Sequence, residues 1–276
     1  MSSPSSTAPL TGTSEPSPRS TPDGQIAASP AGSDARSVGR AGVVAGVALV
    51  LLAALSAVGV LVVVDGLVTP GDAAETARDI VASEGAFRLA VAGLYVVVVL
   101  DIVAAWALFY FFAPVNAWLS RLTAWLRVAF AGAFLVAISQ LAAVPGMLTD
   151  AGYKDAFGEQ QLQAQAMLRL EAFDHTWMAA LLLFGAHLAL LGYLAYRSGY
   201  VPRLVGVLLV IAGAGYSFDT FSSVLSAGPV VISTVTFLGE LVLAIWLLAR
   251  GGRVDRTDLL AQAPTTVHVQ PGKSVR

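Results

Sequence analysis

Three ionisable side chains lie deep inside long apolar segments of this sequence: Asp101, His187 and Glu240. A charged group at the centre of a membrane helix costs about 2.5–3.5 kcal/mol on insertion scales, so each of them needs a partner or a function. Two carboxyl groups and an imidazole could form a proton relay, a cation site or a metal site. They could equally bind helices together, as neutral acids hydrogen-bonded to His187 or to hydroxyl groups. The sequence leaves both interpretations open.

A second polar set is expected at the outer membrane interface: Arg88, Glu171, Asp174, His175 and Asp219. Glu171 and His175 are four residues apart, a spacing that places them on one face of a helix. The simplest interpretation is that these charges reach for water at the interface. A metal site is poorly supported, because His175 and His187 would lie about 18 Å apart along a continuous helix.

Several kinds of chemistry are excluded by composition and motif. The chain has no cysteine, which removes disulfides, thiolate metal ligands and cysteine nucleophiles. Its net charge of −2 argues against a nucleic-acid partner. Gly213-Ala214-Gly215 lacks the third glycine of a dinucleotide fingerprint, and no phosphate-binding loop with a Gly-Lys-Ser or Gly-Lys-Thr ending occurs. We therefore assign no catalytic residue, no cofactor, no metal and no nucleotide.

The elements that position these residues are expected to be membrane helices. Hydrophobic residues make up 56% of the 276 residues and charged residues 12%, with a mean hydropathy of +0.73. About 20 apolar residues are needed to cross a bilayer. The fold class predicted is an all-α integral membrane protein, with six transmembrane helices within residues 41–250, at about 41–64, 88–112, 124–146, 173–196, 202–221 and 229–249. Residues 1–40 and 251–276 are predicted to be disordered cytoplasmic tails.

Lys and Arg residues predict the orientation, since cytoplasmic loops accumulate positive charge. With both termini inside, twelve of the sixteen basic residues are cytoplasmic: Arg19, Arg36, Arg40, Arg121, Arg127, Arg197, Arg203, Arg250, Arg253, Arg256, Lys273 and Arg276. The expected location is the plasma (inner) membrane of a bacterium. Counted from the outer helix ends, Asp101, His187 and Glu240 then lie at similar depths of about 20, 21 and 17 Å.

Both longer external loops are expected to be partly helical. In residues 72–84, the apolar residues fall on one helical face: Ala73, Ala77, Ile80 and Val81. In the second loop, Leu162, Ala166, Leu170 and Phe173 keep the same spacing. The second of these helices is expected to continue into the fourth membrane span.

Segments in these loops and in the later spans resemble a bacterial multi-pass family known as domain of unknown function 4386 (DUF4386). The matching segments are VTPGDAAETA at 68–77, EGAFRL at 84–89, GYKDAFG at 152–158, QLQA at 161–164, LGYLAYRSGYVPR at 191–203, GEL at 239–241 and WLL at 246–248. The resemblance covers about residues 41–250 and implies an integral membrane protein. It carries over no activity, substrate or catalytic residue.

Three functions of different classes follow from these observations. The first is a structural, accessory or envelope-related membrane protein without catalysis. The second is a small proton-coupled transporter in which Asp101, His187 and Glu240 line a polar path. The third is an intramembrane metal-dependent lipid hydrolase with a water activated by His and carboxylate ligands. The lipid bilayer is the one partner expected, and the sequence does not distinguish a homo-oligomer from a complex with another protein.

Overall fold

The computed structural model describes residues 30–225 and 238–254, and all of their regular structure is helical. We label the helices α1 to α8. Helix α1 (Pro30–Ser56) continues through a π-helical stretch (Ala57–Val64) and a final turn (Asp65–Leu67). The others are α2 (Ala73–Ala82), α3 (Glu84–Phe112), α4 (Ala117–Thr149), α5 (Ala151–Phe157), α6 (Glu159–Arg197), α7 (Arg203–Leu225) and α8 (Leu238–Arg250).

The six longer helices form a closed ring around one core. In the described residues, α1 packs on α3, α3 on α4, α4 on α6, and α6 on α7; α8 closes the ring by packing on both α7 and α1. The short α2 lies against α6 and α4 outside this ring. Side chains that point to the centre of the ring can therefore come from helices far apart in sequence.

Five of the described helices are long and apolar enough to cross a membrane, which confirms an all-α membrane protein. They are Arg36–Leu67, Glu84–Phe112, Ala117–Thr149, Glu159–Arg197 and Arg203–Leu225. The predicted sixth span, 229–249, falls partly outside the described residues. Its described part lies in α8, a helix of 13 residues. The first helix begins at Pro30, so residues 30–40 are helical rather than the disordered tail that composition predicted.

The predicted third span begins too late. Asn116 caps α4 by accepting a hydrogen bond from the backbone N–H of Leu119 at 3.0 Å, so the helix starts at Ala117 rather than at residue 124. Pro145 also lies inside α4 and does not end it, because the helix continues to Thr149. Near a helix end, the carbonyl that proline deprives of its partner can bond elsewhere.

The two loop helices have the faces that their spacing predicted, with one exception. In α2, Ala77 and Ile80 are buried, while Val81 is 42% exposed. Asp72 caps this helix by accepting from the backbone N–H of Glu75 at 2.8 Å. In α6, Leu162, Ala166, Leu170 and Phe173 are all buried, and the helix runs without a break from the loop into the membrane span.

Glycines allow α6 and α7 to approach very closely. A Cβ atom placed on Gly213 would lie 2.4 Å from the carbonyl oxygen of Gly185, and one on Gly192 would lie 2.6 Å from that of Gly206. Such distances are below van der Waals contact, so the two backbones touch where a larger residue would hold them apart. Gly42 and Gly46 of α1 likewise face Phe111 and Leu248 of the same chain, so this pair packs α1 within the ring.

Candidate functional site

The guanidinium of Arg127 lies at the centre of the ring with no exposed surface. Its Nε donates to Oδ1 of Asp101 at 2.9 Å, and its Nη1 donates to Oε1 of Glu240 at 2.6 Å. Nη2 lies 2.7 Å from the same Asp101 oxygen, close enough for an ion pair although not in hydrogen-bond geometry. Arg127 thus links α4 to α3 through a buried ion pair and to α8 through a partly buried one.

His187 of α6 completes this buried cluster. Its Nδ1 lies 2.8 Å from the backbone carbonyl oxygen of Thr123, and its Nε2 lies 3.3 Å from Nη1 of Arg127. A carbonyl oxygen can only accept and a guanidinium can only donate, so Nδ1 carries the proton and Nε2 accepts. The contacts therefore define a neutral imidazole, with both ring nitrogens engaged.

An aromatic wall covers the remaining face of the guanidinium. The Cζ atom of Arg127 lies 5.4 Å from the ring centroid of Phe184, a cation–π distance. Phe184 in turn packs on Phe130 at 4.8 Å and on Tyr216 at 5.3 Å between ring centroids. We call Arg127, Asp101, His187 and Glu240 the arginine cluster; apart from Glu240, whose side chain is 17% exposed, its side chains are almost completely buried.

The four members of the arginine cluster lie at one depth. Each stands ten or eleven residues from the same end of its helix: Asp101 from Phe112, Arg127 from Ala117, His187 from Arg197 and Glu240 from Arg250. At 1.5 Å per residue this depth is about 15–17 Å. It is about half the thickness of a bilayer's hydrocarbon core, the region where unpaired charge is most costly.

The sequence prediction counted Arg127 among the cytoplasmic basic residues, at the edge of the third span, whereas it is buried inside α4. The reason is the late start assigned to the third span, which left Arg127 at its edge instead of ten residues inside α4. A signal was present, because Arg127, Phe130 and Phe134 recur at helical spacing on the buried face of α4. Removing Arg127 leaves eleven of fifteen loop and tail basic residues on the inner side of the predicted topology.

The structure places the members of the outer set in different surroundings. Arg88 pairs with Glu84 of its own helix, Nε to Oε1 at 2.7 Å, and both side chains are partly exposed. Glu171, Asp174 and His175 are exposed on α6, and within the described residues no ion pair joins Glu171 to His175. Asp219 is buried in α7, at 2% exposure, instead of facing water.

The arrangement determines what the arginine cluster can do chemically. A metal ion would need its ligands to converge within about 2.0–2.2 Å of one point, and here the guanidinium fills the space between the two carboxyl groups and the imidazole. The described residues contain no group of three or more His, Cys, Asp and Glu that could hold a metal. The cluster can hold helices together, because its ion pairs join different helices. It can also exchange a proton, because its carboxyl groups can take one up.

The closed ring and its buried ion pairs define a class: a helical integral membrane protein with an ionic cluster at its core. A family model described as domain of unknown function (DUF4386) matches residues 44–251. The chain belongs to this family, as the loop segments indicated.

The chain is similar to a protein of Archaeoglobus fulgidus described as "Uncharacterized protein", at 29% identity over 167 residues, which cover 60% of this chain and 85% of the relative. No solved structure matches. These comparisons define the family and assign no activity.

Proposed function

We propose that this protein is a structural or accessory component of the membrane, without catalysis of its own. The observation that supports this function best is the complete burial of Arg127 among partners from three other helices. Both nitrogens of His187 and the inner faces of both carboxyl groups are engaged in the same contacts. The contacts within the cluster thus hold the helices of the ring together, because its charged and polar atoms bind one another.

Two cavities in the described part of the chain lie away from the arginine cluster. The larger is lined by residues of α1 and α3 that include Arg36 and Trp106, and the other lies against Phe87 and Pro145. Neither includes a member of the arginine cluster. Neither of these two cavities provides a substrate route to the cluster.

A small proton-coupled carrier is the second candidate, and one observation favours it. One guanidinium faces two carboxyl groups beside a neutral imidazole, so the cluster carries a net charge of −1 when both acids are ionised. Uptake of one proton would neutralise it. Glu240 is the carboxyl group with access to the outside of the cluster, since its side chain is 17% exposed.

Flux through reconstituted vesicles separates the two candidates. For a structural protein we expect an imposed pH gradient to decay no faster than in protein-free vesicles, with Glu240→Gln lowering the melting temperature instead. Matched measurements on Arg169→Gln, a variant of a residue outside the cluster, control for reconstitution. Proton or cation flux that Glu240→Gln abolishes while the melting temperature is retained would establish the carrier and refute the structural proposal.

We further propose that the protein lies in the plasma membrane with both termini in the cytoplasm. Arginines lie near the start of α1 and of α4 and at the ends of α6 and α8, and this excess of positive charge supports the orientation. Because the natural chain has no cysteine, single cysteines report position without background. On intact cells we expect Ala156→Cys to react with a membrane-impermeant maleimide and Ala117→Cys to react only after permeabilisation. The opposite pattern would invert the proposed orientation.

A further inference from the structure

A groove lies between α1 and α3 near the ends at which the basic residues of α1 are found. Its volume is 520 Å³, and its walls include Arg36, Ser37 and Arg40 together with Val44, Trp106 and Tyr110. This groove is separate from the arginine cluster.

The lining changes from charged to apolar along the membrane normal. Arg36, Arg40 and Val44 recur every four residues and so form one stripe along α1. Arg36 and Arg40 are exposed at its polar end, and Val44 is 38% exposed at about 6 Å further along the helix. A ligand that lies along this stripe needs a polar end and an apolar end.

The opposite wall is aromatic and faces outward. Trp106 is 56% exposed and Tyr110 48% exposed, and their rings meet edge to face with centroids 5.0 Å apart. Tyr110 is two residues from the end of α3 at Phe112, which places these rings near the membrane interface. Exposed Trp and Tyr at this depth are typical contacts of lipid headgroups and of the first part of an acyl chain.

We propose that this groove binds an anionic phospholipid of the surrounding bilayer. The phosphate lies against the guanidinium groups of Arg36 and Arg40, which bind phosphate through paired N–H donors. The acyl chain lies along Val44 and Trp106. Since none of the described residues that line the groove is acidic, a headgroup with a net negative charge is preferred over one that carries its own cation.

Quenching of tryptophan by brominated lipid tests this site directly. The protein is reconstituted in phosphatidylcholine vesicles that contain a small fraction of either brominated phosphatidylglycerol or brominated phosphatidylcholine. The contribution of Trp106 is obtained by comparison with Trp106→Phe. We expect stronger quenching of Trp106 by the anionic lipid, and a fall of about five-fold in this preference for each of Arg36 and Arg40 replaced by Gln.

The control is the double variant Arg121→Gln and Arg197→Gln, because both arginines are exposed and neither lines the groove. Its lipid preference at Trp106 should equal that of the parent. Equal quenching by the two lipids in the parent, or an equal loss of preference in the control, would overturn the proposal. Abolition of the preference by millimolar inorganic phosphate would also overturn it, since that result indicates a site for small anions.

Discussion

Replacing Arg127 by Met is expected to lower the free energy of unfolding by about 3–5 kcal/mol. The substitution keeps much of the side chain's volume and removes its charge. It leaves the buried Asp101 and the partly buried Glu240 without a counterion, and His187 without the donor to its Nε2. Chemical unfolding in detergent micelles, followed by the loss of helical circular dichroism, measures the effect.

Arg121→Met is the matched control for this experiment. Arg121 lies on the same helix, six residues earlier, and is exposed. Its replacement should change the free energy of unfolding by no more than about 0.5 kcal/mol, as is usual for surface positions. An Arg127→Met variant as stable as this control would show that the guanidinium does not hold the ring together.

The second large effect is expected at the closest approach of α6 and α7. Gly213→Ala should cost about 1–3 kcal/mol, because the added Cβ would lie 2.4 Å from the carbonyl oxygen of Gly185 and must push the two backbones apart. The measurement is the same unfolding experiment, together with the yield of monodisperse protein. Backbone strain is not involved, since the cost comes from contact between helices.

Gly93→Ala provides the comparison for this glycine. A Cβ on Gly93 meets nothing within 4 Å, and alanine favours a helix over glycine by up to about 1 kcal/mol. The control variant should therefore be neutral or slightly stabilised. Equal effects of the two substitutions would contradict the close packing of α6 against α7.

The helices were predictable where burial or the bilayer imposes a simple requirement. Length and hydropathy predicted the all-α membrane class, and helical spacing identified the buried face of α6 at Leu162, Ala166 and Leu170. The ends of the spans were harder to predict from the sequence. The start of α4 is determined by the cap at Asn116, a local hydrogen bond that lies outside the apolar run.

Three members of the arginine cluster could be identified from the sequence, because an ionisable group within an apolar helix needs a partner or a function. Equal depth suggested that Asp101, His187 and Glu240 could meet. Whether they do depends on the order of the helices around the ring, and no single segment of the sequence determines that order. Arg127 was missed because a helix edge and a helix interior differ by only a few residues. That error removed the counterion from the sequence-based description and left a metal as an apparent alternative.

Combined neutralisation of the arginine cluster tests the central claim most directly. Unfolding free energies are measured for Arg127→Met, for the pair Asp101→Asn and Glu240→Gln, and for all three substitutions together. If the guanidinium is the counterion of the two acids, the triple variant should be more stable than the sum of the separate losses allows, by at least about 1 kcal/mol. Strictly additive losses would contradict the account, because they would mean that Arg127 and the two carboxyl groups do not interact across the ring.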